Sequence, residues 1–554
     1  MNIKISKERL ISLSFIICSL LFSGAFTSCS EYLEIYPENA LPTEKYWTSK
    51  ADVEASLSTG YLYLRQSVIE YLIPWGELRS GCLEITGSSY SGSSFQQFQI
   101  KPTTKISGTA IVNWAPMYKI VNTANLVLKN ASKALGNDET YTESEMKSHL
   151  CEAYWLRALA YFYIVRNWRD APLLLDPFET DEASYNVAKA SEAELIAQIK
   201  ADLQEAIKLD AAKEVFNTTW ETKGRATKWA IYALLTDVCL WNQNFDEAVT
   251  YADAILASTS ANKPVFLSAP SRNTWFTIFN PGNSSESIYE VQWSHEASNG
   301  VSAYQTNDLP RYFKQGDDNV RFVFSKGMQR EFANDYNEFV TTYGDNQDEQ
   351  TLDKAVRTRN GSFCFSSSLP DITSWASEAY DYYVWKYVGG TTRSVARTTT
   401  NYDPNFIIYR MADIMLMKAE ALVMRNMGHT PEDNAAAIEL TNQIRRRTNL
   451  SDLTLTATSD AATILESILR ERIMELSAEG KSWYDMLRMG RYKDPSGQIN
   501  FKERFLIDNV KKYNNKTNES WIAAVLSNEN AWYLPVADSE MKTNSLLEQN
   551  PYYQ

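Results

Sequence analysis

Cys29 carries the most legible chemistry in the chain. It closes the stretch Phe26-Thr27-Ser28-Cys29, shortly after an apolar run from Leu10 to Phe22. Small residues ahead of a cysteine fit a lipoprotein signal peptidase, and the thiol is the nucleophile that takes a diacylglyceryl group. The start is basic, with Lys4, Lys7 and Arg9 against Glu8. The apolar run is shorter, and more broken by serine, than the ~20 residues that span a bilayer. The pattern predicts a signal peptide over residues 1–28 and acylation of Cys29. Several acyl chains on one residue anchor a protein stably where one chain does not.

Other chemistries find little support. Cys18, Cys82, Cys151, Cys239 and Cys364 are isolated, with no C-x-x-C among them, and are expected as small buried hydrophobes. His149, His295 and His429 are equally scattered, which argues against a zinc site and a Ser-His-Asp centre. The run from Asp345 to Glu349 offers hard oxygens that suit Ca²⁺, but it lacks the glycine and spacing of an EF-hand and reads as an exposed acidic loop. No metal, cofactor or catalytic residue is expected. The run Gly87-Ser88-Ser89-Tyr90-Ser91-Gly92 is not the G-x-S-x-G of a hydrolase elbow. The formal net charge of the 554 residues is −14, with no basic stripe, so a nucleic-acid partner is not expected.

The elements that would position functional groups are mostly helical. Ser49 with Asp52, Thr142 with Glu145 and Ser191 with Glu194 are capping boxes that open helices. Another helix is expected from Trp114 to Asn130. The helix from Thr142 to about Trp168 is apolar on nearly all sides and should be deeply packed, with Pro172 closing it. Ala226–Leu256 reads as two helices around the turn Asn242-Gln243-Asn244, similar to a tetratricopeptide hairpin, although Thr236 stands where glycine is usual. Further helices are expected at Arg410–Met427, Pro431–Arg447 and Ala461–Glu479, the last stopped by Gly480. Between them, 73–107 and 264–401 lose the helical period and turn rich in Gly, Asn and aromatics, with strand-like pieces at Ser287–Trp293 and Tyr382–Tyr387. The expected architecture is mainly α, a tetratricopeptide-like helical-repeat scaffold with large irregular loop and short-strand insertions. Irregular segments on a rigid scaffold tend to carry function.

Several stretches stand in an order that resembles one family. They are Cys29 itself, Thr43–Trp47, Gly60–Arg65, Met117–Asn125, Glu152–Phe162, Tyr409–Ala421, Asn442–Arg445, Arg472–Asp485, Trp532–Pro535 and Gln549–Pro551. Together they resemble the SusD/RagB family, surface glycan-binding lipoproteins of Bacteroidetes outer membranes. The resemblance covers nearly all of the chain after Cys29. It implies an N-terminal region over 29–263 and a C-terminal region over 264–554, packed as one globular unit. It also implies a lipid anchor on the outer face of the outer membrane and a TonB-dependent, SusC-like transporter as partner. The implied activity is capture and delivery of oligosaccharides without cleavage; some relatives serve peptide uptake instead. The charged residues inside these stretches, Arg157, Asp413, Glu420, Glu475 and Glu479, lie on apolar helices and are expected as paired structural charges, because a lone buried charge is costly.

Ligand choice is then left to the loops. Sugars present apolar C–H faces and polar rims, so a site needs flat rings and a few hydrogen-bonding groups. Trp155, Phe162, Trp293 and Trp385 are expected in the core. The candidates in irregular, polar stretches are Tyr90 and Phe95 in the first insertion and Tyr304, Tyr312 and Trp375 in the second, with Arg79 as a source of donors. Two rival readings are a secreted helix-rich glycoside hydrolase, whose two carboxylates about 5 to 9.5 Å apart would show themselves in a turnover assay, and a helical-repeat adaptor that binds only protein.

Overall fold

Wherever Ser49, Thr142, Ser191 or Thr218 precedes an acid by three residues, a helix begins, and the acid's carboxylate accepts the backbone N–H of the capping residue. The computed structural model describes residues 46–85, 94–106, 108–178, 186–268, 275–293, 309–313, 322–343, 363–364, 383–389 and 404–554. The chain divides into two units, Met1–Thr48 and Ser49–Gln554. The second holds the fold.

Its helices are α1 (Lys50–Ser67), α2 (Ala115–Asn137), α3 (Glu143–Trp168), α4 (Glu192–Lys208), the short α5 (Thr219–Gly224), α6 (Lys228–Trp241) and α7 (Phe245–Leu256). The C-terminal half adds α8 (Leu309–Phe313), α9 (Lys326–Tyr343), α10 (Trp385–Val388), α11 (Met411–Arg425), α12 (Pro431–Arg447), α13 (Ala461–Glu475) and α14 (Ser482–Gly490). Neighbours in the scaffold pack in series: α1 on α2, α2 on α3, α3 on α4, α4 on α6, α6 on α7, α7 on α11, and α11 on α12 and α13. This is the expected helical-repeat scaffold. Among the described residues no helix is long and apolar enough to cross a membrane.

Strands are short and paired in twos: β1 (Leu83–Ile85) with β3 (Phe322–Phe324), β2 (Ser287–Val291) with β6 (Phe406–Arg410), and β4 (Phe363–Cys364) with β5 (Tyr383–Val384), all antiparallel. Within the strand-like stretch at 382–387, Tyr383–Val384 is strand and Trp385 starts a helical turn.

The core centres on α3, which is buried on almost every side from Ser148 onward. Trp155 and Phe162 are fully buried, and Trp293 and Trp385 nearly so, as expected. Arg157 binds Asp202 of α4 through two hydrogen bonds of 2.8 and 2.6 Å and Asn125 of α2 at 2.8 Å, so one guanidinium ties three helices. The helix ends at Trp168, as expected. Arg169 follows with a φ of +67°, and Asp170 donates to the Trp168 carbonyl at 2.8 Å in a tight three-residue turn.

Asp413, Glu420, Glu475 and Glu479 are paired as well. Arg410 reaches Glu286 at 3.1 Å, Glu475 at 2.7 Å and Glu479 at 3.0 Å; Arg447 holds Glu286 and Glu475, each at 2.5 Å; Lys386 holds Glu479 at 2.7 Å. All six side chains are fully buried. A second group beside it joins Asp413 to Arg472 and Lys481, Asp485 to Arg472 and Arg488, and Glu420 to Arg488. Each group balances three carboxylates against three cations, the condition under which buried charge is tolerated.

The same networks shorten α13. The Glu475 carbonyl accepts from Lys386 at 3.0 Å and Arg410 at 2.8 Å, and the Ser477 carbonyl from Lys386 at 2.9 Å. Side chains from distant elements thus satisfy carbonyls at the helix end. The helix stops at Glu475, four residues short of the expected end, and Ala478 and Gly480 follow with φ of +63° and +74°. Against this turn lies the π-helical turn Pro74–Leu78, where a Cβ on Gly76 would sit 2.0 Å from the Gly480 oxygen. Glu77 accepts from the Gly480 and Lys481 N–H groups at 2.8 and 3.1 Å and from the Ser482 hydroxyl at 2.8 Å; burial pushes its carboxyl up to about 7.

The expectation of irregular structure from 264 to 401 missed α9, which spans eighteen residues. Its buried positions Met328, Phe332, Asp335 and Phe339 do recur at helical spacing. The stripe is obscured by Asp335, which is buried because Arg470 of α13 reaches it at 2.8 Å.

Candidate functional site

Ile85, the last residue of β1, pairs with Phe322, the first residue of β3. Segment 86–93, which carries Tyr90, leaves the described structure at this rung, and segment 314–321 enters it there. Cys364 pairs with Tyr383, so segment 365–382, which carries Trp375, departs and returns at a single rung of the β4–β5 pair. Segment 294–308, which carries Tyr304, ends at Leu309, the first residue of α8. These anchor points meet: α8 packs on α10 and β3, and β3 packs on β5. Phe313 lies 5.5 Å from Phe322 and 5.0 Å from Tyr387, and Leu309, Phe313, Phe322, Val384 and Tyr387 are all buried.

This aromatic patch is held from below. The Tyr387 hydroxyl donates to the Ala478 carbonyl at 2.9 Å, and the neighbouring Lys386 enters the buried ion network. β1 is held at its edge by Gln96, whose side chain accepts from Ile85 N at 3.4 Å and donates to the Leu83 carbonyl at 3.3 Å, and Lys516 reaches Glu84 at 3.1 Å. The segment ends therefore rest on one packed, hydrogen-bonded base, the support that a precise binding surface requires. Tyr90, Tyr304 and Trp375 themselves lie outside the described residues, as do Cys29 and the acidic run Asp345–Glu349. Tyr312 is half-buried on α8.

Two of the nominated residues need correction. Arg79 and Phe95 are fully buried and offer no face to a ligand. The Arg79 guanidinium stacks on Trp483 at 4.3 Å, with Phe95 at 5.5 Å on another side. It donates to the Trp532 carbonyl at 2.7 Å and to Asn167 at 3.2 Å. With no carboxylate partner among the described residues, burial lowers it to about 10. Arg79 thus clamps α3, α14 and the Trp532 stretch together. The irregular composition around it, read as loop, belongs to tight π-helical turns packed in the core.

One feature escaped the sequence reading. Trp220 on α5 is 50% exposed and, with the exposed Leu62, borders a cleft of about 480 Å³ between α1, α5 and β2. Its sequence signal was a tryptophan in a polar run, Asn217–Lys223, just ahead of the helical segment that starts at Ala226. Among the described residues no cluster of His, Cys, Asp and Glu is placed to hold a metal ion, and Cys82, Cys151 and Cys239 are buried and unbridged.

Comparison with known proteins covers both halves of this arrangement. Residues 31–240 match the family described as starch-binding associating with outer membrane, and residues 285–553 match the SusD family. The chain is 25% identical over 519 residues to a SusD-like protein of Formosa agariphila, covering 89% of this chain and 94% of that one. A SusD-like protein of Bacteroides ovatus is 24% identical, with coverages of 86% and 82%. Among solved structures, a SusD superfamily protein of Bacteroides vulgatus superposes with a TM-score of 0.68 at 18% identity, covering 91% of this chain and 99% of that one. A laminarin-binding SusD-like protein superposes with a TM-score of 0.65 at 22% identity, covering 91% of this chain and all of the other. With the helical scaffold, its paired charges and both family matches in agreement, the chain belongs to the SusD/RagB family.

Proposed function

We infer that this protein is a lipid-anchored binding protein of the outer-membrane surface, which captures oligosaccharides and passes them to a TonB-dependent, SusC-like transporter without cleaving them. The observation that carries the reading is family membership over both halves of the chain, one of the matching families being described as starch-binding and associated with the outer membrane. The laminarin-binding structural relative supports the same ligand class. The shared base under the segments of Tyr90, Tyr304 and Trp375 supports placing the main site there, since rings on separate loops serve one ligand only when their anchors are held together.

The test is calorimetry and affinity electrophoresis against a panel of neutral oligosaccharides, with reducing ends followed over time. Binding without release of new reducing ends is expected. Their release would make the protein a glycoside hydrolase, and binding confined to peptides would make it a peptide-uptake relative. Alanine at Tyr90, Tyr304 or Trp375 should each weaken binding by about 1 kcal/mol, about fivefold, with the circular dichroism spectrum unchanged. Wild-type affinity in all three variants would remove the assignment of these residues.

For the transporter, co-purification from native membranes in mild detergent is expected. Recovery of the protein alone, from cells shown to express the transporter, would sink that part of the reading.

A further inference from the structure

Trp220 exposes half of its surface on a short helix that is tied to the scaffold at its C-terminal end. The Thr218–Glu221 capping box closes the start of α5, with bonds of 3.2 Å from the Thr218 N–H to Glu221 and 3.1 Å from the Glu221 N–H to Thr218. Phe216 donates to the Thr222 hydroxyl at 2.8 Å. Lys223 donates to the Ser287 carbonyl at 2.5 Å. Arg225, directly after the helix, grips the buried Glu152 of α3 through bonds of 2.9 and 2.6 Å and stacks on Phe216 at 4.3 Å. Gly224 lets α5 approach β2 closely, since a Cβ there would lie 2.5 Å from Gln292 Cγ. Burying the indole would be favourable, yet the ties on α5 keep it half-exposed at the edge of the cleft. A fixed, exposed aromatic face is what ligand stacking requires.

The groups around it narrow the ligand. The floor holds the Tyr61 ring, stacked on Tyr289 at 6.4 Å, with its hydroxyl donating to Glu152 at 2.8 Å. The ionisable side chains of the rim and floor are Glu54, Glu221, Arg65 and Arg225 besides Tyr61 and Tyr289, two carboxylates against two guanidiniums. Among the described residues the Arg65 guanidinium has no ion pair or hydrogen bond, and Glu54 has His149 Nε2 at 3.6 Å and Lys50 at 4.0 Å. Such a rim favours neither an anion nor a cation. It matches vicinal hydroxyls, which donate to a carboxylate and accept from a guanidinium. The cleft, about 480 Å³, lies in the range of small-ligand sites, about 300 to 1,000 Å³.

The geometry points to a second saccharide subsite here, in which a neutral sugar ring stacks on Trp220 and its hydroxyls meet Arg65 and Glu54. This rests on the saccharide-binding function proposed above and adds a contact built on the helical scaffold, separate from the aromatic patch.

The experiment labels the full mature protein with 5-fluorotryptophan, assigns the Trp220 ¹⁹F resonance by its loss in Trp220→Phe, and titrates with maltohexaose, laminarihexaose, cellohexaose, xylohexaose and mannohexaose. A saturable shift of the Trp220 resonance with at least one of them is expected, with about a tenfold weaker response of that site in Arg65→Ala. By calorimetry, Trp220→Ala should lower the affinity of the responding sugar at one site by about tenfold, with part recovered in Trp220→Phe. Calorimetric binding of a sugar with the Trp220 resonance unmoved would overturn the subsite and leave the proposed function standing. No binding and no shift with any sugar would overturn both. A shift produced only by a peptide mixture would also overturn it, and would make the cleft a protein-docking site.

Discussion

Arg410→Met should lower the unfolding free energy of the protein by about 4 kcal/mol, the cost of breaking a buried pair by removing one partner. Arg410 is fully buried and bonds to three carboxylates, those of Glu286, Glu475 and Glu479, and to the Glu475 carbonyl. Without it those three carboxylates share only Arg447 and Lys386, and one buried negative charge is left without compensation. The end of α13 loses a donor at the same time. Methionine fills much of the volume, so the loss is electrostatic rather than a cavity. Arg446→Met is the control. Arg446 bonds to Glu439 and Asp452, but its side chain is 46% exposed, and an exposed pair contributes at most about 1 kcal/mol. Urea unfolding followed by circular dichroism compares the two. Equal destabilisation by both variants would mean that the six-membered network does not hold the fold together.

Cys29→Ala should move the protein from the membrane fraction to the soluble fraction almost completely. In the proposed function the anchor is lipid on this one residue, at about 0.8 kcal/mol for each buried methylene. Loss of several acyl chains at once leaves nothing of that attachment. The measurement is fractionation of cells expressing wild type and variant, with metabolic labelling by radiolabelled palmitate and protease treatment of intact cells. The wild type should carry label, sediment with the outer membrane and be cut from outside. A Cys29→Ala protein that sediments as fully as wild type would refute the anchor.

Local signals in the sequence were enough for much of the scaffold. The capping boxes at Ser49, Thr142 and Ser191 each start a helix, and Pro431–Arg447 is helical over its whole expected length. The turn Asn242-Gln243-Asn244 joins two helices as expected. The expectation that Arg157, Asp413, Glu420, Glu475 and Glu479 would be paired held, because burial of a charge on an apolar helix follows from its neighbours in sequence. Their partners were not legible: Arg410 is far from Glu286 along the chain, and only folding brings them together.

What tertiary structure alone decided are the places where a distant group overrides a local preference. Helix α13 stops early because Lys386 and Arg410 take carbonyls at its end. Helix α9 forms around a buried aspartate because Arg470 arrives from another helix to neutralise it. Arg79 and Phe95 sit in a polar, aromatic stretch that reads as exposed loop, yet contacts with Trp483, Asn167 and the Trp532 carbonyl draw them into the core. Trp220 is the converse, an indole left outside because Lys223 and Arg225 hold its helix against the scaffold with the ring facing the cleft. Helix starts and apolar faces are set by groups within a few residues of one another, so sequence determines them. Burial, charge pairing and the exposure of a single ring depend on groups tens to hundreds of residues away, and they are settled only when the chain is folded.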